Sequence, residues 1–319
     1  MRKIIIILFT IPVCISVTRG QDILSIVPDA RSSGMGNIGL SQSSNAFSLY
    51  GYAGVMALDS SKGAAGYSFT GWMPSYNMHS LHAVAGYWKF SKRQNISAGV
   101  RYFSYPKVIT TDNDGSIIGT FTPFDMVVDL GYGYAINSHL TVAAIARYVT
   151  GKISDAEGTK AASAFGADFG IYFCKNRISA GLAVSNIGTK INYGGAGSSM
   201  PARAKVAGGY SLPIGNRQVI NSVAEAAYAF LPENYTGFEA GVGAEYVYDK
   251  RIAVRAGYRL GNSENNPVVV PNNFGSSLSY ATLGIGVNIW RCSVDASYIF
   301  AGSESPIRNS FRMSLSLKF

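Results

Sequence analysis

From Phe311 to Phe319 every second residue is apolar, and the residues between them, Arg312, Ser314, Ser316 and Lys318, are all polar. That period of two is the mark of a β-strand with one apolar and one polar face. It recurs upstream. Phe124, Met126, Val128, Leu130, Tyr132 and Tyr134 alternate with Asp125, Asp129, Gly131 and Gly133, and Ile252, Val254, Ala256, Tyr258 and Leu260 alternate with Arg251, Arg255, Gly257 and Arg259. After residue 20 no continuous apolar run approaches the ~18 residues that a membrane-spanning helix needs. Yet the chain is poor in charge, with 14% charged residues, and rich in Gly (36) and Tyr (20). In a soluble sandwich each apolar face would meet a second sheet. A chain that must satisfy its backbone inside lipid without helices has one option, the closed barrel, whose apolar face meets lipid and whose charges and glycines face the lumen.

Strands are expected near 63–72, 79–90, 94–105, 121–135, 139–150, 163–174, 177–185 and 201–212, and again near 218–230, 235–248, 251–260, 275–289, 292–300 and 307–319. That makes an all-β, 14-stranded antiparallel transmembrane β-barrel over residues 63–319. An even count places both ends of the barrel on one side of the membrane. The connections alternate in length, as a barrel requires. Short ones are Ser91-Lys92-Arg93, Ile136-Asn137-Ser138, Lys175-Asn176, Gly215-Asn216, Asp249-Lys250 and Trp290-Arg291. Between them fall Lys107–Gly119, Gly151–Ala162, Asn186–Met200 and Gly261–Asn273, with shorter members at Met73–Met78, Leu231–Asn234 and Ala301–Pro306.

Residues 1–20 read as an export signal peptide: Arg2 and Lys3, an apolar run Ile4–Ile11, then Thr18-Arg19-Gly20. The run is too short for a membrane anchor, and Pro12-Val13 is a poor approach to an acylated Cys14. A leader followed by a barrel implies the outer membrane of a Gram-negative bacterium, with both termini periplasmic. The last strand, closing on Phe319, resembles the assembly signal of outer-membrane proteins.

Residues 21–62 do not alternate and are rich in Gly, Ser and Ala, which suits an N-terminal plug in the lumen, where irregular backbone is shielded from lipid. Within them, Pro28-Asp29-Ala30-Arg31-Ser32-Ser33-Gly34-Met35-Gly36 and Ser44-Asn45-Ala46-Phe47-Ser48-Leu49-Tyr50 resemble the opening of the PorV/PorQ family, as do Gly66-Tyr67-Ser68-Phe69 and Trp72. These are fatty-acid-transporter-like outer-membrane barrels of the type IX secretion system of Bacteroidota. Where such barrels often carry Asn-Pro-Ala after the aromatic run, this chain has Tyr50-Gly51-Tyr52-Ala53-Gly54. The resemblance implies a non-enzymatic component that receives secreted cargo through the cargo's C-terminal signal domain and delivers it to surface attachment machinery. It also marks Asp29, Arg31, Gly34 and Gly36 as the plug motif.

Without the leader the chain has 24 Lys and Arg against 18 Asp and Glu. The excess looks diffuse, with no Lys/Arg block of the kind that binds nucleic acid, so nucleic acid is not an expected partner. Alternation puts Arg101, Asp125, Asp129, Arg147, Glu239, Glu245, Arg251, Arg255, Arg259, Asp295 and Arg312 on inward faces. They would form either an ion or ligand pathway or a salt-bridge network that holds the plug, with Arg31 paired to Asp125 or Asp129. His79 and His82 fall on opposite strand faces, a poor metal or catalytic pair. Cys174 and Cys292 lack CxxC spacing, and no cofactor or metal is expected. Neither a Gly-x-Ser-x-Gly nor any other nucleophile signature appears, which weighs against an outer-membrane lipase or protease. A transporter of hydrophobic small molecules is the stronger rival. It would need an apolar pocket at the plug and a lateral opening, which the inner glycines Gly241, Gly243, Gly284 and Gly286 could permit.

Overall fold

The computed structural model describes residues 22–111, 114–115, 117–154, 160–192, 197–232, 236–261, 279–303 and 305–319. The expected leader and most of the connection Gly261–Asn273 lie outside them. The strands are β1 (Gly63–Trp72), β2 (His79–Lys89), β3 (Gln94–Ser104), β4 (Val108–Thr111), β5 (Ile117–Phe121), β6 (Phe124–Ala135), β7 (Leu140–Lys152) and β8 (Ala162–Lys175). They continue as β9 (Ile178–Gly188), β10 (Arg203–Ile214), β11 (Gln218–Ala229), β12 (Gly237–Tyr248), β13 (Ile252–Gly261), β14 (Tyr280–Ile289), β15 (Cys292–Ala301) and β16 (Phe311–Lys318). All but β4 and β5 form one closed antiparallel barrel in sequence order, so fourteen strands surround the lumen and β16 pairs with β1.

Closure follows from register. Tyr67 pairs with Leu315 and Phe69 with Met313 across the seam, and these side chains share the outer face with exposed Val84, Ile96, Leu130, Phe238 and Ile285. An apolar band of this extent belongs in lipid. Among the described residues no helix is long and apolar enough to cross a membrane. Tight turns join the strands at one end, here the turn end, where Asn176 and Trp290 take left-handed φ of 55° and Gly215 takes 60°. Such values match the twist of two-residue hairpins.

The structure departs from expectation in three places. The connection Lys107–Gly119 is not simply a loop: β4 and β5 pair in it as a separate hairpin. The strand expected from residue 307 begins at Phe311, because Arg308 N bonds Ser305 O and Ser310 N bonds Ile307 O, which curls that stretch into turns. Met73–Met78 holds a one-turn 3-10 helix, Pro74–Tyr76.

Before the barrel, residues 22–62 form three short helices, α1 (Asp22–Ser25), α2 (Ala30–Gly34) and α3 (Val55–Leu58), with a 3-10 turn at Ser48–Tyr50. They lie against the inner wall and fill two apolar clusters. Phe47, Leu49, Tyr52, Val55 and Met56 pack with Ala83, Ala85, Ile145 and Tyr172. Ile23, Leu24 and Ile26 pack with Trp72, Leu81, Phe103, Val127 and Ile299 nearer the loop end.

Phe319 O accepts bonds from the N–H groups of Lys62 (2.8 Å) and Gly63 (3.0 Å), and its ring lies 5.6 Å from that of Trp88. Deleting Leu317–Phe319 removes these contacts and the seam pairs Ala64 with Lys318 and Ala65 with Leu317. The truncated protein is expected to lose the heat-modifiable mobility of a closed barrel in gel electrophoresis. A normal folded band at normal abundance would refute the role assigned to this end.

Candidate functional site

The candidate site is the lumen, where the N-terminal segment meets buried charge. Alternation along β3, β6, β7, β8 and β9 aims one chain of charges inward: Arg101 to Asp129 (3.0 Å), Asp129 to Arg147 (2.6 Å), Arg147 to Asp168 (2.8 Å). Asn186 takes a further hydrogen bond from Arg147 and gives its own N–H to Asp168. Across the lumen, Arg255 bridges Glu245 (2.8 Å) and Asp295 (2.7 Å), and Arg259 bridges Glu225 (2.9 Å) and Glu239 (2.6 Å). Asp125 accepts from Tyr105 Oη at 2.6 Å. Charges this deep are tolerable only when paired and hydrogen-bonded, since an isolated one carries a desolvation penalty of several kcal/mol.

The N-terminal segment is tied into this framework. Arg31 binds Glu245 through two bonds, Nε to Oε1 (3.1 Å) and Nη2 to Oε2 (3.0 Å). The expected partners Asp125 and Asp129 are engaged elsewhere, by Tyr105 and by Arg101 and Arg147. Asp29 caps α2, accepting from Ser32 N and Ser32 Oγ at 2.9 Å. Burial pushes its carboxyl above the ordinary value, against those bonds. Arg312, which is buried, donates to Val27 O and Ser33 Oγ, and Ser314 Oγ accepts from Ala30 N. At the turn end Asp59 accepts from Ser44 N and Oγ and pairs with Lys318 (3.2 Å). Burial raises the Asp59 carboxyl, but Lys318 and the Ser44 and Ser61 hydrogen bonds outweigh it and hold the group below the ordinary value.

Glycine decides how closely the segment seats. Gly36 has φ +73°, and a Cβ there would stand 2.8 Å from Val242 O. The wall answers with Gly243 and Gly257, whose added Cβ atoms would meet Met35 O at 2.4 Å and Gly36 N at 2.1 Å. A Cβ on Gly34 and one on Gly284 would each lie 3.1 Å from the other's Cα. The inner glycines read as room for a lateral opening are therefore occupied: Gly241, Gly243 and Gly284 by this backbone, Gly286 by the Arg255–Asp295 pair.

One sequence expectation fails outright. Arg251 does not face the lumen; it sits in the turn between β12 and β13, with 76% of its side chain exposed, 3.6 Å from Asp249. Strand alternation does not extend into a tight turn. Conversely Asp168, Arg203, Lys205 and Glu225 belong to the lumen network and were not singled out. All four sit on regularly alternating strands and were legible by period alone; the register shift beside Asp168 lies in the pairing of β8 with β9 and leaves the period of β8 intact. His79 is buried beside Phe103 and Tyr105, whereas His82 faces outward against Tyr67 and Phe69. Cys174 and Cys292 are unpaired. Among the described residues no group of three or more His, Cys, Asp or Glu is placed to hold a metal.

Two of the cavities among the described residues adjoin the charged groups. One of about 110 Å³ lies between α1 and the lumen charges Arg101, Arg147, Lys205, Glu225 and Arg259. A wider one of about 790 Å³ opens at the turn end beneath Arg31, beside Lys250, Arg291 and Lys318.

A family model described as type IX secretion system protein PorV matches residues 14–236. No curated protein sequence matches the chain. Among solved structures, the Pseudomonas putida toluene transporter TodX superposes with a TM-score of 0.58 at 11% identity, over 90% of this chain and 97% of that one. The Ralstonia pickettii toluene transporter TbuX gives 0.58 at 12%, covering 91% and 98%. A Pseudomonas aeruginosa FadL homologue gives 0.52 at 12%, covering 91% and 97%. Identities this low establish a shared barrel fold and nothing finer.

Replacing Gly36 by Val is expected to lift the N-terminal segment off the wall, because both its φ and the Val242 carbonyl oppose a side chain. Limited proteolysis should then cut within residues 28–60 while the barrel stays heat-modifiable. Glu245→Ala should cost more stability than Arg31→Ala, about 3–5 kcal/mol, since it removes the carboxylate of Arg31 and one of the two that Arg255 reaches; chemical unfolding in detergent measures both. Equal costs would mean that Glu245 does not join the segment to the wall.

Proposed function

The chain belongs to the family of type IX secretion system protein PorV, and from that premise we propose that this outer-membrane barrel receives secreted cargo through the cargo's C-terminal signal domain and passes it to surface attachment machinery. The observation that carries the reading is the family match, which spans both the N-terminal segment and the barrel to β11. The lumen supports it. Arg101, Arg147, Arg255 and Arg259 are committed to carboxylates in the wall, and Arg31 adds the N-terminal segment to the same network. Residues 21–62 act in this reading as a plug, so cargo and partner proteins engage the outside of the barrel and its loops rather than threading the pore. Loops are where a rigid barrel offers adaptable contacts, and β4–β5 together with Asn186–Met200 are the candidates. The protein is no enzyme in this reading, the source is a member of the Bacteroidota, both termini are periplasmic and the turn end faces the periplasm.

A second reading has a specific observation behind it. The apolar cluster around Ile23, Leu24 and Ile26 would become a pocket lined by Trp72, Leu81 and Phe103 if α1 withdrew, and TodX and TbuX, which share the fold, are toluene transporters. That reading is a channel for hydrophobic small molecules.

Topology is checked with a membrane-impermeant maleimide on intact cells: Asp114→Cys, in the tip of the β4–β5 hairpin, should be labelled and Asn176→Cys should not, and the reverse pattern would invert the barrel. Deleting the gene should trap secreted proteins in the periplasm, and replacing residues 107–121 with a short Gly-Ser link should reproduce that defect with the barrel intact. Unchanged secretion together with slowed uptake of a monoaromatic hydrocarbon would overturn the secretion reading in favour of the channel.

A further inference from the structure

The net positive charge of this chain is not diffuse once the strands are assembled. Every strand that leaves the turn end is immediately preceded by a basic residue or a histidine: Lys62, Arg93, His139, Arg177, Arg217, Arg251 and Arg291 stand before β1, β3, β7, β9, β11, β13 and β15. Lys92, Lys175 and Lys250 stand beside three of them in the turns, and all but His139 of these are exposed basic groups. Among the described residues two acids stand at this rim, and Glu245 and Asp295, which line the cavity below it, are paired with Arg31 and Arg255. Asp59 is covered by Lys318 and by Lys89, which binds its carbonyl, and Asp249 is paired with Arg251. The lumen does not supply the excess, because Arg101, Arg147, Arg255 and Arg259 are met there by Asp129, Asp168, Glu225, Glu239, Glu245 and Asp295.

The ring lies along the turn-end rim of the barrel. Two residues further along their strands, Ala64, Asn95, Thr141, Ser179 and Ala253 are buried in the lumen, and the basic residues stand exposed in the turns just beyond that inner face. Outward positions at this end are apolar instead: Phe90, Ile178, Ile252 and Ile289 are exposed. The 790 Å³ cavity opens at this same end, and Lys62, Lys250, Arg291 and Lys318 help to line it. Successive members are two strands apart, roughly 10 Å, too far for one small anion to bridge. The arrangement suits a partner carrying many separate negative charges.

We propose that the turn end of the barrel is a docking face for an acidic polypeptide, a protein surface or segment rich in Asp and Glu that seats over the mouth and is held by the arginine ring. This does not depend on the secretion reading, since it follows from charge placement alone. Rim charges of this kind raise association rates and set orientation, and salt screens them.

The test uses the full mature protein in nanodiscs of zwitterionic lipid, with fluorescent oligoglutamate of about 20 residues as the probe. Binding should weaken at least tenfold between 50 and 300 mM NaCl, and at least tenfold again when Arg93, Arg177, Arg217 and Arg251 are all replaced by Gln. These turn side chains are exposed, so heat-modifiable mobility should be unchanged. A control with Lys107, Lys160 and Lys190 replaced by Gln should bind as the parent does. If the turn substitutions leave oligoglutamate binding unchanged, or the control weakens it equally, the proposal is wrong. If they leave it unchanged and instead abolish a preference for nanodiscs containing phosphatidylglycerol, the ring is a lipid-headgroup site and the proposal is likewise overturned.

Discussion

Everything in this molecule depends on the pairing of β16 with β1. Inside lipid each unpaired backbone N–H or C=O costs several kcal/mol, so an open sheet edge is not a stable option. The seam Ala64–Gly71 with Phe311–Lys318 removes the last edge. Once the sheet is closed, alternation leaves no freedom about which residues meet lipid and which meet one another. Leu315 and Met313 must face outward, and Arg312 and Ser314 must face in.

Closure creates a second problem, because it gathers charged side chains into a narrow space with little water. The chain meets it with bidentate arginine chemistry. Arg147, Arg255 and Arg259 each reach two carboxylates on different strands, so the guanidinium groups stitch nearby strands together along the lumen wall. The N-terminal segment joins the same scheme through Arg31 and fits only because Gly36, Gly243 and Gly257 keep side chains out of the contact. Apolar packing completes the seat at both ends, through Phe47, Leu49 and Met56 in one cluster and Ile23 and Ile26 in the other.

The same barrel serves several trades. TodX and TbuX share it at 11% and 12% identity, so the wall itself says little about what the protein handles. The N-terminal segment, the loops and the distribution of charge between the two ends are where members of such a fold can differ. In this chain the lumen arginines Arg101, Arg147, Arg255 and Arg259 are paired with carboxylates, while those at the turn end are exposed.

Much of this was legible without a structure. Period-two alternation over residues 63–319 contained the strand count, the outward band and the inward placement of Arg101, Asp129, Arg147, Arg255 and Arg259, because a strand has only two faces and lipid accepts only one kind. The irregular, small-residue composition of residues 21–62 set them apart from the wall. Alternation carries no information about distance across a lumen, so it could not say that Arg31 meets Glu245 rather than Asp125 or Asp129. It misled at Arg251, where the strand had already become a turn, whereas Asp168 follows the period of β8 and was legible from it. The ring of basic residues was hidden for the same reason: its successive members lie 31 to 46 residues apart in the chain and become neighbours only when antiparallel strands return each turn to one rim. The sequence by itself determined that the chain closes into a barrel with a polar interior; which charges meet, and where the unmet ones collect, was decided by the tertiary structure, because Coulomb pairing depends on separation in space and not along the chain.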